Sequence, residues 1–363
     1  MMKRRTFLSA ASGGILPVAW SADEKVPNPM GIVIHSYGRR WQGKDSSVKF
    51  PPFENALDVL DHCQLIGAGG LQVGVDGWSA DFAGKVRDTR ESYGLYFEGS
   101  VALPKTEGEV PVFDKAIRLG KEAGARIFRT YLGGRRYEDF SRLAEFKAYK
   151  EQALRSLQLS EPIAKRYDVK IGVENHKDFE SPELVELLQR VSSENIGACI
   201  DLGNSIALLE DPMDTVTNLA PFAVTTHVKD MAVRETPEGF LLSEVPLGQG
   251  ILDLPKMLGV IRRLNPEVKL NLEMITRDPL SIDCLEPGYW VTFPEKPGAH
   301  LAATLKMVRT CGVADLPFVS GKSAEAVLAY EEENILKSLQ YAGQSLGLAY
   351  HGHKFTTEDI DEK

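Results

Sequence analysis

The chain has 363 residues, of which 43% are hydrophobic and 26% charged, and its formal net charge is −9. That length and apolar content allow one large core or two ordinary ones. No apolar run reaches the roughly 20 residues that span a bilayer, and an acidic surface repels nucleic acid over most of its area. Cys63, Cys199, Cys284 and Cys311 lie far apart without CxxC spacing, which points to single thiols rather than a disulfide framework or a zinc knuckle.

The first stretch, "MMKRRTFLSAASGGILPVAWSADE", places Lys3, Arg4 and Arg5 before a short, weakly apolar segment with small residues around Ala19–Ala22. "RRTFL" resembles a twin-arginine export signal, the class that carries folded proteins across a membrane. Residues 1–22 are therefore read as a signal peptide, and the expected destination is the periplasm or another extracytoplasmic space. Its removal takes away three positive charges and no negative ones, so the charge falls from −9 to about −12.

From residue 30 onward, short apolar strands alternate with longer helical patterns. The strands are "GIVIHSY" (31–37), "GLQVGV" (70–75), "LYFEGSV" (95–101), "RIFRTYL" (126–132), "VKIGVEN" (169–175), "IGACIDL" (196–202), "AVTTHVK" (223–229) and "VKLNLEM" (268–274). Amphipathic stretches at 54–66, 108–124, 138–167, 181–193 and 254–264 separate them, and Ser181-Pro182 supplies a helix start. Strands alternating with helices pair in parallel through right-handed crossovers. Eight such units predict an α/β (β/α)8 TIM barrel over residues 30–312. An open doubly wound sheet is the rival, but no Gly-rich dinucleotide turn follows the first strand.

Residues 313–363 read as a C-terminal helical extension with a charged tail. It is expected to pack on the outside of the barrel or on a second copy of the chain, which would make a homo-oligomer. The inserts at 231–247 and 275–299 are long enough to cover the barrel mouth, with Trp290 and Phe293 as ring-stacking candidates or packing residues. "GQG" (248–250) is a glycine turn feeding a helix, weak by itself as a phosphate signal.

Successive strand residues point to opposite sides. Val169, Ile171 and Val173 oppose Lys170, Gly172 and Glu174; Ala198 and Ile200 oppose Gly197, Cys199 and Asp201; Val224 and Thr226 oppose Thr225 and His227; Leu270 and Leu272 oppose Asn271 and Glu273. The more apolar sets face the helices, so the inward sets end in Glu174, Asp201, His227 and Glu273. These would converge at the C-terminal mouth, where barrel enzymes place their sites. Three carboxylates and one imidazole repel one another unless a cation intervenes. An oxygen-rich set with one nitrogen suits a single Mn²⁺, Mg²⁺ or Co²⁺, with Zn²⁺ a weaker fit.

"GVENHKD", "CIDLGN", "HVKD" and "NLEM" resemble the signature strands of the xylose-isomerase-like TIM barrel superfamily, the sugar phosphate isomerases and epimerases, across roughly 30–312. The resemblance to ketose 3-epimerases implies that Glu174, Asp201, His227 and Glu273 hold one divalent metal. It also implies that Glu174 and Glu273 act as acid and base on opposite faces of the substrate. The expected enzyme is a metal-dependent sugar isomerase or epimerase that removes a proton beside a carbonyl through a metal-stabilised enediolate. Dehydration or another lyase reaction, of the inosose or 3-keto-glycoside type, uses the same ligands and is the runner-up. A non-catalytic secreted sugar-binding barrel is a further alternative.

Substrate-contact candidates are His35, Arg129, His176, Asn204 and Lys229. Asn204 stands where relatives often carry a His. That departure, together with the acidic charge, counts against the superfamily's trinuclear-zinc endonucleases. An exported enzyme meets few phosphorylated sugars, so a free sugar, keto-sugar or polyol derivative is expected as its small-molecule partner.

Overall fold

The computed structural model describes residues 30–348. The signal peptide read at 1–22 and the tail beyond 348 lie outside the described residues. Eight parallel strands form a closed barrel: β1 (Gly31–Val33), β2 (Gly70–Gly74), β3 (Tyr96–Ser100), β4 (Ile127–Thr130), β5 (Lys170–Glu174), β6 (Ile196–Asp201), β7 (Ala223–Val228) and β10 (Lys269–Leu272). Neighbours follow sequence order, and β10 closes the ring onto β1, with Gly31 opposite Asn271. Between β7 and β10 the chain inserts a hairpin, β8 (Asp230–Thr236) and β9 (Gly239–Val245), and β11 (Leu280–Ile282) joins it as a third antiparallel strand.

The helices of the outer layer are α1 (Ala56–Ile66), α2 (Ala80–Ser92), α3 (Val110–Glu122), the single turn α4 (Arg136–Asp139), α5 (Leu143–Tyr167), α6 (Ser181–Val191), α7 (Pro212–Leu219), α8 (Leu254–Leu264), α9 (Gly298–Cys311) and α10 (Ala324–Ser345). Local chemistry fixes their ends. Asn55 accepts from Leu57 N, and Asp58 reaches back to the Asn55 amide, so α1 starts in a reciprocal cap. It stops at Gly67, whose φ of 72° is left-handed. Pro182 in the first turn of α6 costs no hydrogen bond, because that N–H lacks a helical partner anyway.

The outward strand residues Ile171, Val173, Ala198, Ile200, Leu270 and Leu272 are buried against these helices, as the alternation requires. α10 packs against β10 and the turn after β1, at the barrel's seam. Its Glu331 carboxylate accepts the Arg39 and Arg40 backbone N–H groups at 2.8 and 3.3 Å.

Three local expectations change. The first strand stops at Val33 and continues as a 3-10 turn over Ile34–Tyr37, so His35 sits on a turn rather than at a strand end. The inserts form a packed layer with its own apolar core, including Met231, Val233, Phe240, Leu242, Ile282, Tyr289 and Phe293. Phe293 and Tyr137 both stack on Tyr289, while the Trp290 indole N–H donates to the Cys284 carbonyl. Those rings pack inside the layer. The "GQG" turn is also committed: Asp230 accepts the N–H groups of Gly248, Gly250 and Leu252 at 3.0, 2.9 and 3.1 Å.

Candidate metal centre

β5, β6, β7 and β10 end at one level. Asp201 pairs in register with His227, and Asn271, two residues before Glu273, pairs with His227 on the other side. One ligand-type atom from each of Glu174, Asp201, His227 and Glu273 lies within 4.8 Å of the others, and all four residues are buried. His227 Nδ1 is 3.6 Å from Glu174 Oε2, 3.9 Å from Asp201 Oδ2 and 3.4 Å from Glu273 Oε1. This group could hold a metal ion.

Two buried atoms test that fit. His227 Nδ1 and Asp201 Oδ2 have no hydrogen-bond partner, and they face each other across 3.9 Å. Burying an unsatisfied polar atom such as His227 Nδ1 costs about 1–3 kcal/mol, and a cation bound there would remove that cost. Three oxygens and one imidazole nitrogen make a hard donor set suited to a divalent ion.

Two side chains balance part of the negative charge. Arg129 donates to Glu174 Oε2 from Nε at 2.6 Å and again from Nη2. Lys229 donates to Glu273 Oε2 at 2.5 Å and lies 2.8 Å from Asp201 Oδ2, off the angle of a hydrogen bond. Burial pushes the Glu174 carboxyl up, but Arg129 and His227 outweigh it and hold it well below the usual range. Burial acts the same way on Glu273, and Lys229 and His227 reverse it. Asp201 goes the other way, raised first by burial and then by the neighbouring glutamates. At His227 burial favours the neutral ring, yet Cys199, Glu273 and Glu174 hold its pKa well above the ordinary value. The site demands positive charge at this nitrogen, either a proton or a metal ion.

The remaining candidates divide by exposure. Asn204 is buried, donates to Glu174 Oε1 at 3.0 Å and accepts from Lys177 at 2.5 Å. Lys229 pairs with the quartet rather than with Asp230. His35 is exposed at the mouth, where Glu273, Arg129, His227 and Glu174 act on it electrostatically. His176 is partly exposed, its Nδ1 3.0 Å from the Gly134 carbonyl.

Several residues beside the quartet were not singled out by the strand pattern. Tyr131 is 50% exposed, and its ring sits 4.6 Å from the Arg129 guanidinium carbon and 5.8 Å from the His176 ring. Lys177 is buried with no carboxylate within 4.0 Å among the described residues. Gln72 and Glu98, from β2 and β3, are buried inside the barrel, and Gln72 Oε1 lies 2.7 Å from His227 Nε2. Their signal was a polar residue within an apolar strand, but the partner is 155 residues away.

Among the described residues, no helix is long and apolar enough to cross a membrane. The chain is 23% identical over 249 residues to the 3-oxo-isoapionate decarboxylase of Pectobacterium atrosepticum, covering 67% of this chain and 77% of that one. Its fold matches a xylose isomerase-like TIM barrel protein from Mycobacterium smegmatis, solved in complex with magnesium, at a TM-score of 0.54 and 15% identity, over 76% of this chain and 97% of that one. D-psicose 3-epimerase matches at a TM-score of 0.54 and 12% identity, over 78% and 99%. The family model for xylose isomerase-like TIM barrels covers residues 91–343, which takes in β3–β11, all four residues of the quartet and nearly all of α10, and the chain belongs to that family.

Proposed function

We propose that this protein is a divalent-metal-dependent isomerase or epimerase of a free sugar, keto-sugar or polyol derivative. The observation that carries this reading is the pairing of Glu174 and Glu273 in one buried quartet, each carboxylate held ionised by its own cation. An ionised carboxylate can accept a proton from carbon, and two of them can work on opposite sides of one substrate. A divalent ion in the quartet would polarise adjoining carbonyl and hydroxyl oxygens and acidify the neighbouring C–H.

The chain's own residues supply the rest. Arg129 and Lys229 fix the two carboxylates, His35 and His176 offer ring nitrogens at the mouth, and Tyr131 offers an exposed ring face. One glutamate takes the proton beside the carbonyl. Return by the other glutamate to the same carbon inverts it, whereas return to the neighbouring carbon gives aldose–ketose isomerisation.

The test is solvent exchange. Manganese-loaded protein incubated with D-fructose, D-psicose or D-tagatose in D₂O should place deuterium on a carbon next to the carbonyl. Glu174→Gln and Glu273→Gln should each abolish this. Metal-loaded wild type that washes no deuterium into any ketose or inosose would overturn the reading.

A second reading, a lyase acting on a 3-oxo acid, is favoured by one observation in the structure. The buried Lys177 donates to Asn204 and has no carboxylate within 4.0 Å among the described residues. Lys229, Arg277, Glu244 and Asp201 act on it from further off, and its ammonium lacks a direct counter-ion of the kind a substrate carboxylate would supply. The relative from Pectobacterium atrosepticum is a decarboxylase. In such a step the C–C bond breaks, CO₂ leaves, and the electron pair left on carbon takes up a proton. Release of CO₂ from a 3-oxo aldonate would separate this reading from exchange without carbon loss. Export by the twin-arginine route rests on Arg4 and Arg5; changing both to Lys should block export of the full chain, and undiminished export would refute the assignment.

A further inference from the structure

The barrel interior below the quartet contains a hydrogen-bonded chain with a fixed direction. Glu98 Oε2 receives three donors: Gln72 Nε2 at 2.9 Å, Thr225 Oγ1 at 2.7 Å and Asn271 Nδ2 at 3.1 Å. An oxygen taking three donors carries no proton, whichever charge the carboxyl group has. The Asn271 orientation is set independently, because its Nδ2 also faces the Thr226 carbonyl oxygen, which can only accept, at 3.4 Å. Gln72 therefore presents its NH₂ to Glu98 and its carbonyl oxygen to His227.

That oxygen lies 2.7 Å from His227 Nε2 and can only accept, so Nε2 carries a proton. Nδ1, which has no hydrogen-bond partner, is left pointing at three carboxylates. Gln72, Glu98, Thr225 and Asn271 are all buried at 2% exposure or less, so water does not compete for these bonds.

We propose that Glu98 and Gln72 form a positioning relay that keeps the His227 proton on Nε2 and so makes Nδ1 the metal-binding nitrogen. The relay rests on the reading of the quartet as a metal site and specifies how that site is prepared. Neither residue touches the metal or the substrate. Their role is to fix the ring's protonation pattern and orientation, as the outer hydrogen-bond partner of a ligating histidine does.

The test combines metal affinity with histidine nitrogen spectra. By chelator competition, Gln72→Leu should weaken Zn²⁺ or Mn²⁺ binding about 10- to 100-fold. Glu98→Gln should weaken it less, because it frees the Gln72 amide to flip. The exchanged double variant, Gln72→Glu with Glu98→Gln, restores an acceptor facing Nε2 and should recover affinity to within about 3-fold of wild type.

In the ¹⁵N spectrum of the Zn²⁺-loaded wild type, His227 should show a protonated Nε2 and a metal-bound Nδ1. The opposite pattern overturns the relay without any variant, which keeps the proposal decidable if Gln72→Leu fails to fold. Gln72→Leu binding metal as tightly as wild type also overturns it. Absence of metal uptake by the wild type overturns the quartet as a metal site, an outcome distinct from the other two.

Discussion

Replacing Arg129 with methionine keeps most of the side chain's volume and removes the cation that holds Glu174. Arg129 is 5% exposed and Glu174 2%, so the pair is almost wholly out of water. Removing one partner of a buried pair costs about 3–5 kcal/mol, because the other charge is left uncompensated. With chelator present, Arg129→Met should lose that much stability in urea unfolding at pH 7. The pH dependence has a definite sign. The Glu174 pKa is depressed from its ordinary 4.5, so its ion pair stabilises above that value and is lost as pH falls towards about 2. The gap between wild type and variant should therefore be full at pH 7 and shrink below about pH 4.5. Metal ion gives the discriminating arm. A divalent cation supplies Glu174 with a new positive partner, and loss of the neighbouring guanidinium removes a repulsion, so the variant should bind Mn²⁺ about tenfold more tightly. At saturating Mn²⁺ the gap should narrow by about 1.4 kcal/mol. A cost under about 1 kcal/mol in chelator, or a gap that Mn²⁺ leaves unchanged, refutes the reasoning and leaves a plain ion-pair network.

Three further outcomes follow from single groups. Burial pushes the Asp178 carboxyl from 3.8 to about 7, so wild type loses stability as pH rises between those values; Asp178→Asn should gain on it across that window and not above, as urea midpoints at pH 4.5 and 7.5 would show. Asp230→Ala strips the acceptor from the N–H groups of Gly248, Gly250 and Leu252, and should cost about 2–4 kcal/mol in the same assay, with a loss under about 0.5 kcal/mol contradicting the turn's dependence on it. Tyr131→Ala, at an exposed ring, should change stability by less than about 0.5 kcal/mol while raising KM several-fold at unchanged kcat; an unaltered KM removes Tyr131 from the substrate surface.

The barrel and the quartet were legible because both rest on one local rule. Side chains alternate along a strand, so Ile171 and Val173 against Gly172 and Glu174 reveal which face is which without knowledge of any partner. What a side chain meets across the barrel obeys no local rule. Gln72 and Glu98 read only as polar residues in apolar strands, since β2 meets β7 through the interior and not through sequence. The hairpin β8–β9 was a different omission. Met231 and Val233 alternate before "TPEG", and Phe240 and Leu242 alternate after it, a strand signal set aside by reading the whole insert as a lid. Its rings then had a core to fill, and the exposed ring beside the site is Tyr131 instead.

That distribution of buried and accessible groups bears on the substrate. Arg129, Lys229 and Arg277 are each paired with a carboxylate, and Lys177 is buried, so no unpaired cation among these lies open at the mouth. Among the described residues, the accessible side chains beside the quartet include His35, His176 and Tyr131. Burial with Lys177 lowers the His176 pKa to about 4, and crowding of the His35 ring by the site, with Arg129 and His227 adding to it, moves its pKa in the same direction, which favours the neutral imidazole at both. Neutral imidazoles and a phenol exchange hydrogen bonds with hydroxyl groups and offer little to a phosphate dianion, which calls for arginine, lysine or clustered backbone N–H groups. The Gly248–Gly250 turn already spends its N–H groups on Asp230. Affinity for a ketose should therefore not improve when the same ketose carries a terminal phosphate. A phosphorylated form binding tenfold more tightly than the free sugar, at equal metal loading, would show that the rim recognises charge and would overturn this argument.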